Sequence, residues 1–425
     1  MHRKKAPVIK DAVEFNLQLK PYEYFELDNG VPVYTIDAGT QEVIQLELVF
    51  YAGNWFEKDR SVAAATNFML KNGTSNRTAF QLNEQFEYYG AYCSRSCFNE
   101  TAVINLSTLN KHLHELLPMV EDMITDSIFP EEELAIYKQN SKQRLKVSLQ
   151  KSDFVAARLI DASLYGIHHP YGTYTHAEDI DALQTEQLKT FFNQYYLQGH
   201  CAIFVSGKIP AGLQVLLNKH FGNHSMRKPS FAVEPISVQP LTEKRSRVQN
   251  DPDGVQGSIR IARPFPNRHH PDFMKAMVLN TLFGGYFGSR LMSNIREDKG
   301  YTYGIHSYVQ NHLQQSAWMI STEAGKDVIE ASIEEIYKEM KLLREELVGE
   351  EELSLVRNYL MGTILGDLDG PFQIMGRWKN IVLNQLNSDY FYDTIKTIKT
   401  ISAEELRELA KTYLVEKEFY ELVVV

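Results

Sequence analysis

The chain repeats itself. Glu131-Glu132-Glu133-Leu134 returns as Glu350-Glu351-Glu352-Leu353, 219 residues on. Ile180-x-x-Leu183-x-x-x-x-Leu188 returns as Ile398-x-x-Ile401-x-x-x-x-Leu406, 218 residues on, and Tyr195 maps onto Tyr413 at that same offset. Both segments then run into apolar stretches, Cys201 to Val205 and Leu422 to Val425, and Leu82-x-x-x-Phe86 before Gly90 is echoed by Leu291-x-x-x-Ile295 before Gly300. Matches at nearly one offset constrain architecture more than any single motif does. They make the chain two homologous halves. Between them Pro229, Pro235 and Pro240, the charged run Glu243 to Arg247 and Asn250-Asp-Pro-Asp-Gly254 read as linker and turns. This places one domain at 1–222, a linker at 223–254 and a second domain at 255–425.

Each half mixes strands with helices. Residues 1–20 read as an irregular arm. Asp28-Asn29-Gly30 between the apolar runs Tyr24–Leu27 and Val31–Ile36 signals a hairpin, and Val43–Tyr51 continues as a strand. Ala79–Tyr89, Leu113–Asp126, Pro130–Leu149, Phe154–Tyr165 and Thr185–Tyr196 carry helical patterns, with strands at Thr101–Leu106 and Cys201–Gly207. The fold class is α+β: two domains, each a mixed, mainly antiparallel sheet with helices packed on one face.

Composition excludes several classes. A net charge of −10 argues against nucleic acid as the main partner. No apolar run reaches the roughly 18–20 residues of a membrane span. The basic start Met1–Lys5 is followed by Lys10, Asp11 and Glu14 rather than an apolar core, so no secretory signal is expected. The expected compartment is the cytoplasm, or the periplasm if the N-terminus has been trimmed. Cys93, Cys97 and Cys201 are too few and too spaced for a disulfide framework or a zinc knuckle. Cys93 and Cys97 read as two small residues on one strand edge. Of the 13 histidines, His168-His169-Pro170-Tyr171 reads as loop packing.

The stretch Ser61–Thr74 carries the chemistry by what it lacks. Val62, Ala65 and Met69 form a core-facing helix stripe, and Asn72-Gly73-Thr74 stops it. On the neighbouring face Ala64, Asn67 and Phe68 stand at i, i+3 and i+4. That is the spacing of H-x-x-E-H, which sets two imidazoles on a metal beside a general base. Met69-Leu70 running into Gly73-Thr74 and Asn76-Arg77-Thr78 resembles the segment after that motif in the pitrilysin/insulinase metallopeptidase (inverzincin) family. The resemblance extends from about Tyr22 to Val425. It places the first His at Ala64, the Glu at Asn67 and the second His at Phe68. After Phe129-Pro130-Glu131-Glu132-Glu133 the third zinc ligand falls near Arg144, and a further Glu has become Tyr137. Ala64 has no lone pair, Phe68 offers hydrocarbon, Asn67 cannot take up a proton near neutral pH, and Arg144 would repel a cation. Neither H-x-x-E-H nor H-E-x-x-H occurs elsewhere in the chain.

Phe283-Gly-Gly-Tyr-Phe-Gly-Ser-Arg-Leu-Met-Ser-Asn-Ile-Arg-Glu-Asp-Lys-Gly-Tyr-Thr-Tyr303 resembles the family's second half. Its glycines lack the Gly-Lys-Ser/Thr of a phosphate loop and instead let backbone segments pack closely before a helix at Ser289–Asp298. The resemblance makes Arg296 and Tyr303 contacts to the peptide and its oxyanion at a zinc site, and it pairs the two halves as a clamshell. It also implies a division of labour seen in bacterial members of the family. One chain brings H-x-x-E-H and the zinc; this one brings no cofactor of its own and closes over its partner. The expected partners are an H-x-x-E-H-bearing paralogue in a heterodimer, or a second copy in a homodimer, and a peptide substrate. A non-catalytic peptide-binding or scaffold homodimer is the alternative. An autonomous peptidase with other ligands is the weakest reading. Strand addition of a peptide at Thr101–Leu106 is a candidate mode of capture.

Overall fold

The computed structural model describes residues 11–230 and 235–425; the first ten residues of the arm and 231–234 of the linker lie outside them. The chain groups into two compact units. Among the described residues the first holds Lys20–Leu241 with Gly370–Asn380; the second holds 11–19, Thr242–Asp369 and Ile381–Val425.

The first unit is built on β1 (Glu23–Glu26), β2 (Pro32–Asp37), β3 (Val43–Phe50), β4 (Tyr92–Cys97), β5 (Ala102–Leu109) and β6 (Cys201–Gly207), in the spatial order β1-β2-β6-β3-β5-β4. The second is built on β7 (Arg245–Val248), β8 (Gln256–Phe265), β9 (Thr302–Asn311), β10 (Ser316–Gly325) and β11 (Tyr420–Val424), in the order β7-β11-β8-β10-β9. The two sheets superimpose in logic. The pairs β2–β6 and β7–β11 are parallel, and every other neighbouring pair is antiparallel in both. The repeat read from the sequence is thus a repeat of topology.

Two elements depart from the sequence pattern. Arg245–Val248, inside the stretch read as linker, is the edge strand β7, the counterpart of β2. Its side chains are mostly exposed, so it carries no apolar alternation to betray it. β5 is no sheet edge: it pairs with β3 on one side and β4 on the other, which removes it as a site of strand addition. The exposed edges of that sheet are β1 and β4, and β4 carries Cys93 and Cys97.

In the first unit the core lies between one sheet face and the helices. Ile44, Leu46, Leu48 and Phe50 of β3 alternate inward, as period-two geometry requires, against Ile104, Leu106, Ile203 and Val205. Helices α1 (Val62–Met69), α2 (Ala79–Tyr88), α3 (Leu113–Thr125), α4 (Glu131–Ser148) and α5 (Ser152–Tyr165) follow in order. Truncating a core residue such as Leu48 to Ala would cost about 2–5 kcal/mol. The opposite sheet face is also covered, because Trp378 stacks edge-on to Tyr22 at 4.7 Å and Lys379 pairs with Glu47. Gly73 shows why the two family-like segments of this unit belong together. Its φ is +130°, and an added β-carbon would stand 3.1 Å from Pro130 Cγ. Ile128 N also donates to Gly73 O at 3.2 Å. His169 is buried among Trp55, Tyr165 and Tyr171, its ring packed as loop filler. No described helix is long and apolar enough to cross a membrane.

Candidate functional site

The corner that would hold a metal is occupied by packing. Ser61 precedes α1 in the left-handed region, with φ of 71°. The Glu57 carboxylate takes over the capping that Ser61 does not provide: it accepts from Ser61 N at 3.2 Å and Ala63 N at 2.9 Å. Burial outweighs these bonds and lifts the Glu57 pKa to about 7. Along α1, Val62, Ala65 and Met69 face the core as the spacing predicts. Asn67 is buried as well, and its Nδ2 donates to the hydroxyl of buried Tyr196 at 3.1 Å. Ala64 and Phe68 are exposed. Ala64 lines a cavity of about 200 Å³ with Glu57, Asn54 and Cys97.

Phe68 is held from two sides. Its ring lies 5.0 Å from that of Tyr137 on α4, and the Arg95 guanidinium carbon sits 5.2 Å from its centroid. Arg95 Nη1 also donates to Phe68 O at 2.8 Å. Tyr137, Ser141 and Arg144 follow at i, i+4 and i+7 on one face of α4. Burial raises the Tyr137 pKa, while a hydrogen bond from Ser141 and the charge of Arg144 oppose the rise. Arg144 is exposed and donates to Ser141 Oγ at 3.1 Å. The zinc that such a fold implies does not fit these residues. A methyl, a stacked phenyl, an amide committed to a phenol and a guanidinium supply neither the imidazole nor the carboxylate donors that zinc takes. Among the described residues no group of three or more His, Cys, Asp or Glu side chains could hold a metal ion.

The second unit presents a different surface. Gly284 allows close approach, since an added β-carbon would meet Ser307 N at 2.9 Å and Leu291 Cδ1 at 2.9 Å. Buried Asn280, Ser307 and Trp318 tie this turn to the sheet: Asn280 Nδ2 donates to Ser307 O at 3.0 Å, and Trp318 Nε1 to Ser307 Oγ at 2.8 Å. Arg290 is pinned by a two-pronged pair to Glu352, at 2.8 and 2.9 Å. The helix read at Ser289–Asp298 is wider than expected: Met292–Asp298 is π-helical, and Lys299 N bonds to Asn294 O at 3.0 Å. Such wide turns concentrate at functional sites. At the start of β9 a bulge opposite Glu323 redirects the strand, and Thr302 Oγ1 secures it by donating to Glu323 O at 2.6 Å.

These devices bring Arg296 and Tyr303 together. The Arg296 guanidinium carbon lies 4.6 Å from the Phe287 ring centroid and 5.8 Å from that of Tyr303. Tyr303 is 90% exposed and Phe287 62% exposed. The nearest carboxylate to Arg296 is that of its neighbour Glu297, at 4.0 Å. The result is a half-buried cation packed against two exposed rings, with the phenol of Tyr303 in solvent.

Two family profiles match most of the chain. "Insulinase (Peptidase family M16)" matches residues 33–171, and "Peptidase M16 inactive domain" matches residues 182–360. The chain belongs to the insulinase, or M16, peptidase family. Its M16 relatives include an uncharacterized zinc protease of Bacillus subtilis, YmxG, 23% identical over 357 residues, which are 82% of this chain and 84% of that one. An uncharacterized zinc protease of Rickettsia felis is 23% identical over 351 residues, 80% and 82% of the two chains. Among solved structures, a peptidase M16 inactive domain from Pseudomonas fluorescens matches with a TM-score of 0.84 at 22% identity, covering 95% of this chain and 98% of that one. A protease from Helicobacter pylori matches with a TM-score of 0.84 at 16% identity, covering 95% and 99%. These likenesses establish the M16 fold: two α+β domains.

Three residues of these two sites escaped the sequence reading. Phe287 lay inside the quoted run but had no assigned partner until the π-helical turn placed Arg296 on it. Glu57 carried no sequence signal, because Ser61 stands at the cap position and only the structure shows that its side chain does not cap. Arg95 carried no local signal, because its contact with Phe68 comes from the sheet.

Proposed function

We propose that this M16 chain is the metal-free member of a two-chain peptidase, in which Phe287, Arg296 and Tyr303 grip the peptide at the zinc site of an H-x-x-E-H-bearing partner. The observation that carries the reading is the exposed stack itself. Two exposed rings and the half-buried guanidinium between them stand beside a buried hydrogen-bond network, a π-helical segment and a strand bulge. Folding gains little from such a stack, since an exposed cation–π contact is worth only about 0.5–1 kcal/mol. A peptide gains more. Arg296 can donate fixed N–H groups to a backbone carbonyl. The Tyr303 hydroxyl can donate to an oxygen on which negative charge develops, and Phe287 covers an apolar side chain beside them. The zinc, carried by the partner, would supply the activated water. In this chain the positions that the resemblance matches to its ligands carry Ala64, Phe68 and Arg144, none of which offers zinc a donor.

The test is reconstitution. The purified chain is mixed with an H-x-x-E-H-bearing M16 protein from the same organism, and cleavage of a quenched fluorescent peptide is followed. Activity should appear only in the mixture and fall with Arg296→Ala and with Tyr303→Phe. Undiminished activity in both variants would overturn the reading. Peptide binding by a homodimer that restores no relative's activity would favour a scaffold instead.

A further inference from the structure

A second cavity of the first unit, of about 350 Å³, lies between the end of α4, the start of α5 and the segment Tyr174–Glu178. Leu145, Leu149, Val155 and Leu159 line it. Among these apolar walls stands one guanidinium, Arg158. Its Nη2 donates to Thr175 O at 2.7 Å, while its Nη1 is buried without a hydrogen-bond partner. The Tyr174 ring holds it at 4.3 Å and the Phe154 ring at 5.4 Å. Among the described residues no carboxylate forms an ion pair with it; His176 and Glu178, which also line the cavity, are both exposed. Burial lowers the Arg158 pKa.

A partly buried cation lacking a counter-ion is costly to a fold, because its desolvation is not repaid. The two rings flank the guanidinium and Nη1 keeps N–H groups with no acceptor, a donor that a carboxylate would satisfy. The volume falls in the range of small-ligand sites. From this geometry we infer that the cavity binds an apolar carboxylate, its charge on Arg158 Nη1 and its hydrocarbon against Leu145, Leu149, Val155 and Leu159. The C-terminal residue of a peptide and a free aliphatic acid share this chemistry. The inference does not rest on the role given to Arg296 and Tyr303, and either can fail alone.

Calorimetric titration of the full chain decides it, with three probes: N-acetyl-L-leucine, N-acetyl-L-leucinamide and hexanoate. At least one carboxylate should bind in the millimolar range or tighter, and the amide at least tenfold more weakly than its acid. Tighter binding of N-acetyl-leucine assigns the site to peptide termini, and tighter binding of hexanoate to free acids. Arg158→Gln should weaken the carboxylate at least tenfold, and Arg158→Lys should restore part of the loss. Val155→Trp should block binding by filling the cavity while leaving Arg158 in place, so that a folding defect in one variant cannot decide the matter. Failure of both carboxylates to bind, equal binding of acid and amide, or wild-type binding by Arg158→Gln would overturn the inference.

Discussion

The α1 corner of the first unit and the Arg296 corner of the second make opposite use of polar and aromatic side chains. At α1 the three groups nearest the lost motif have structural partners: Asn67 has Tyr196, Phe68 has Tyr137 and Arg95, and Glu57 has the backbone of the helix start. At Arg296 the partners stop short. Phe287 and Tyr303 hold the half-buried guanidinium, and both rings face solvent. A site whose side chains are used up by packing has little left to offer a ligand. A site held in position from behind and open in front retains its binding capacity.

The contrast can be broken by mutation. The largest effect is expected in the reconstituted enzyme, where Tyr303→Phe should lower kcat by roughly 100-fold or more, the usual cost of losing an oxyanion donor, and Arg296→Ala should lower kcat/KM by weakening the hold on the peptide. Thermal unfolding of the same variants should not move measurably, because neither side chain contributes much to the core. Asn67→Leu should behave in the reverse way. It strands the Tyr196 hydroxyl in the interior and should cost about 1–3 kcal/mol in a denaturant titration. An unchanged midpoint would mean that Asn67 is not part of the packing.

Glu57 sharpens the comparison through pH. Its folded-state value of about 7 lies above the usual 4.5. Between those values the folded chain keeps a proton that the unfolded chain has released, so this group's contribution to stability is fully present below about 4.5 and is lost as the pH climbs through about 7. Urea unfolding across that window should show stability declining with pH, and Glu57→Gln should flatten the slope. The smallest effect is expected for Phe287→Ala. It removes one ring from Arg296, worth about 0.5–1 kcal/mol, and should raise KM of the paired enzyme two- to fivefold with little change in thermal stability.

Much of the fold was legible because it repeats. The Glu-Glu-Glu-Leu starts at Glu131 and Glu350 open equivalent helices, and the apolar runs at Cys201 and Leu422 become equivalent strands. What escaped was information that is not local. β7 is an edge strand with charged side chains, so only its pairing with β11 reveals it. The interior position of β5 follows from its pairing with β4, and neither strand's own sequence says which strands it pairs with. The π-helical turn at Met292–Asp298 shifts side chains off the 3.6-residue period, and that shift is what sets Arg296 beside Phe287. Ala64, Asn67, Phe68 and Arg144 could be read as unable to ligate from residue type alone. The contacts that now engage Asn67, Phe68 and Arg144 come from other elements or other turns of the fold.

The central claim is that this chain supplies the grip and not the metal. Peptide hydrolysis by the isolated chain in the presence of added zinc tests it most directly. The account predicts no cleavage until an H-x-x-E-H-bearing partner is added; turnover by the chain alone, with about one zinc retained per molecule, would contradict it.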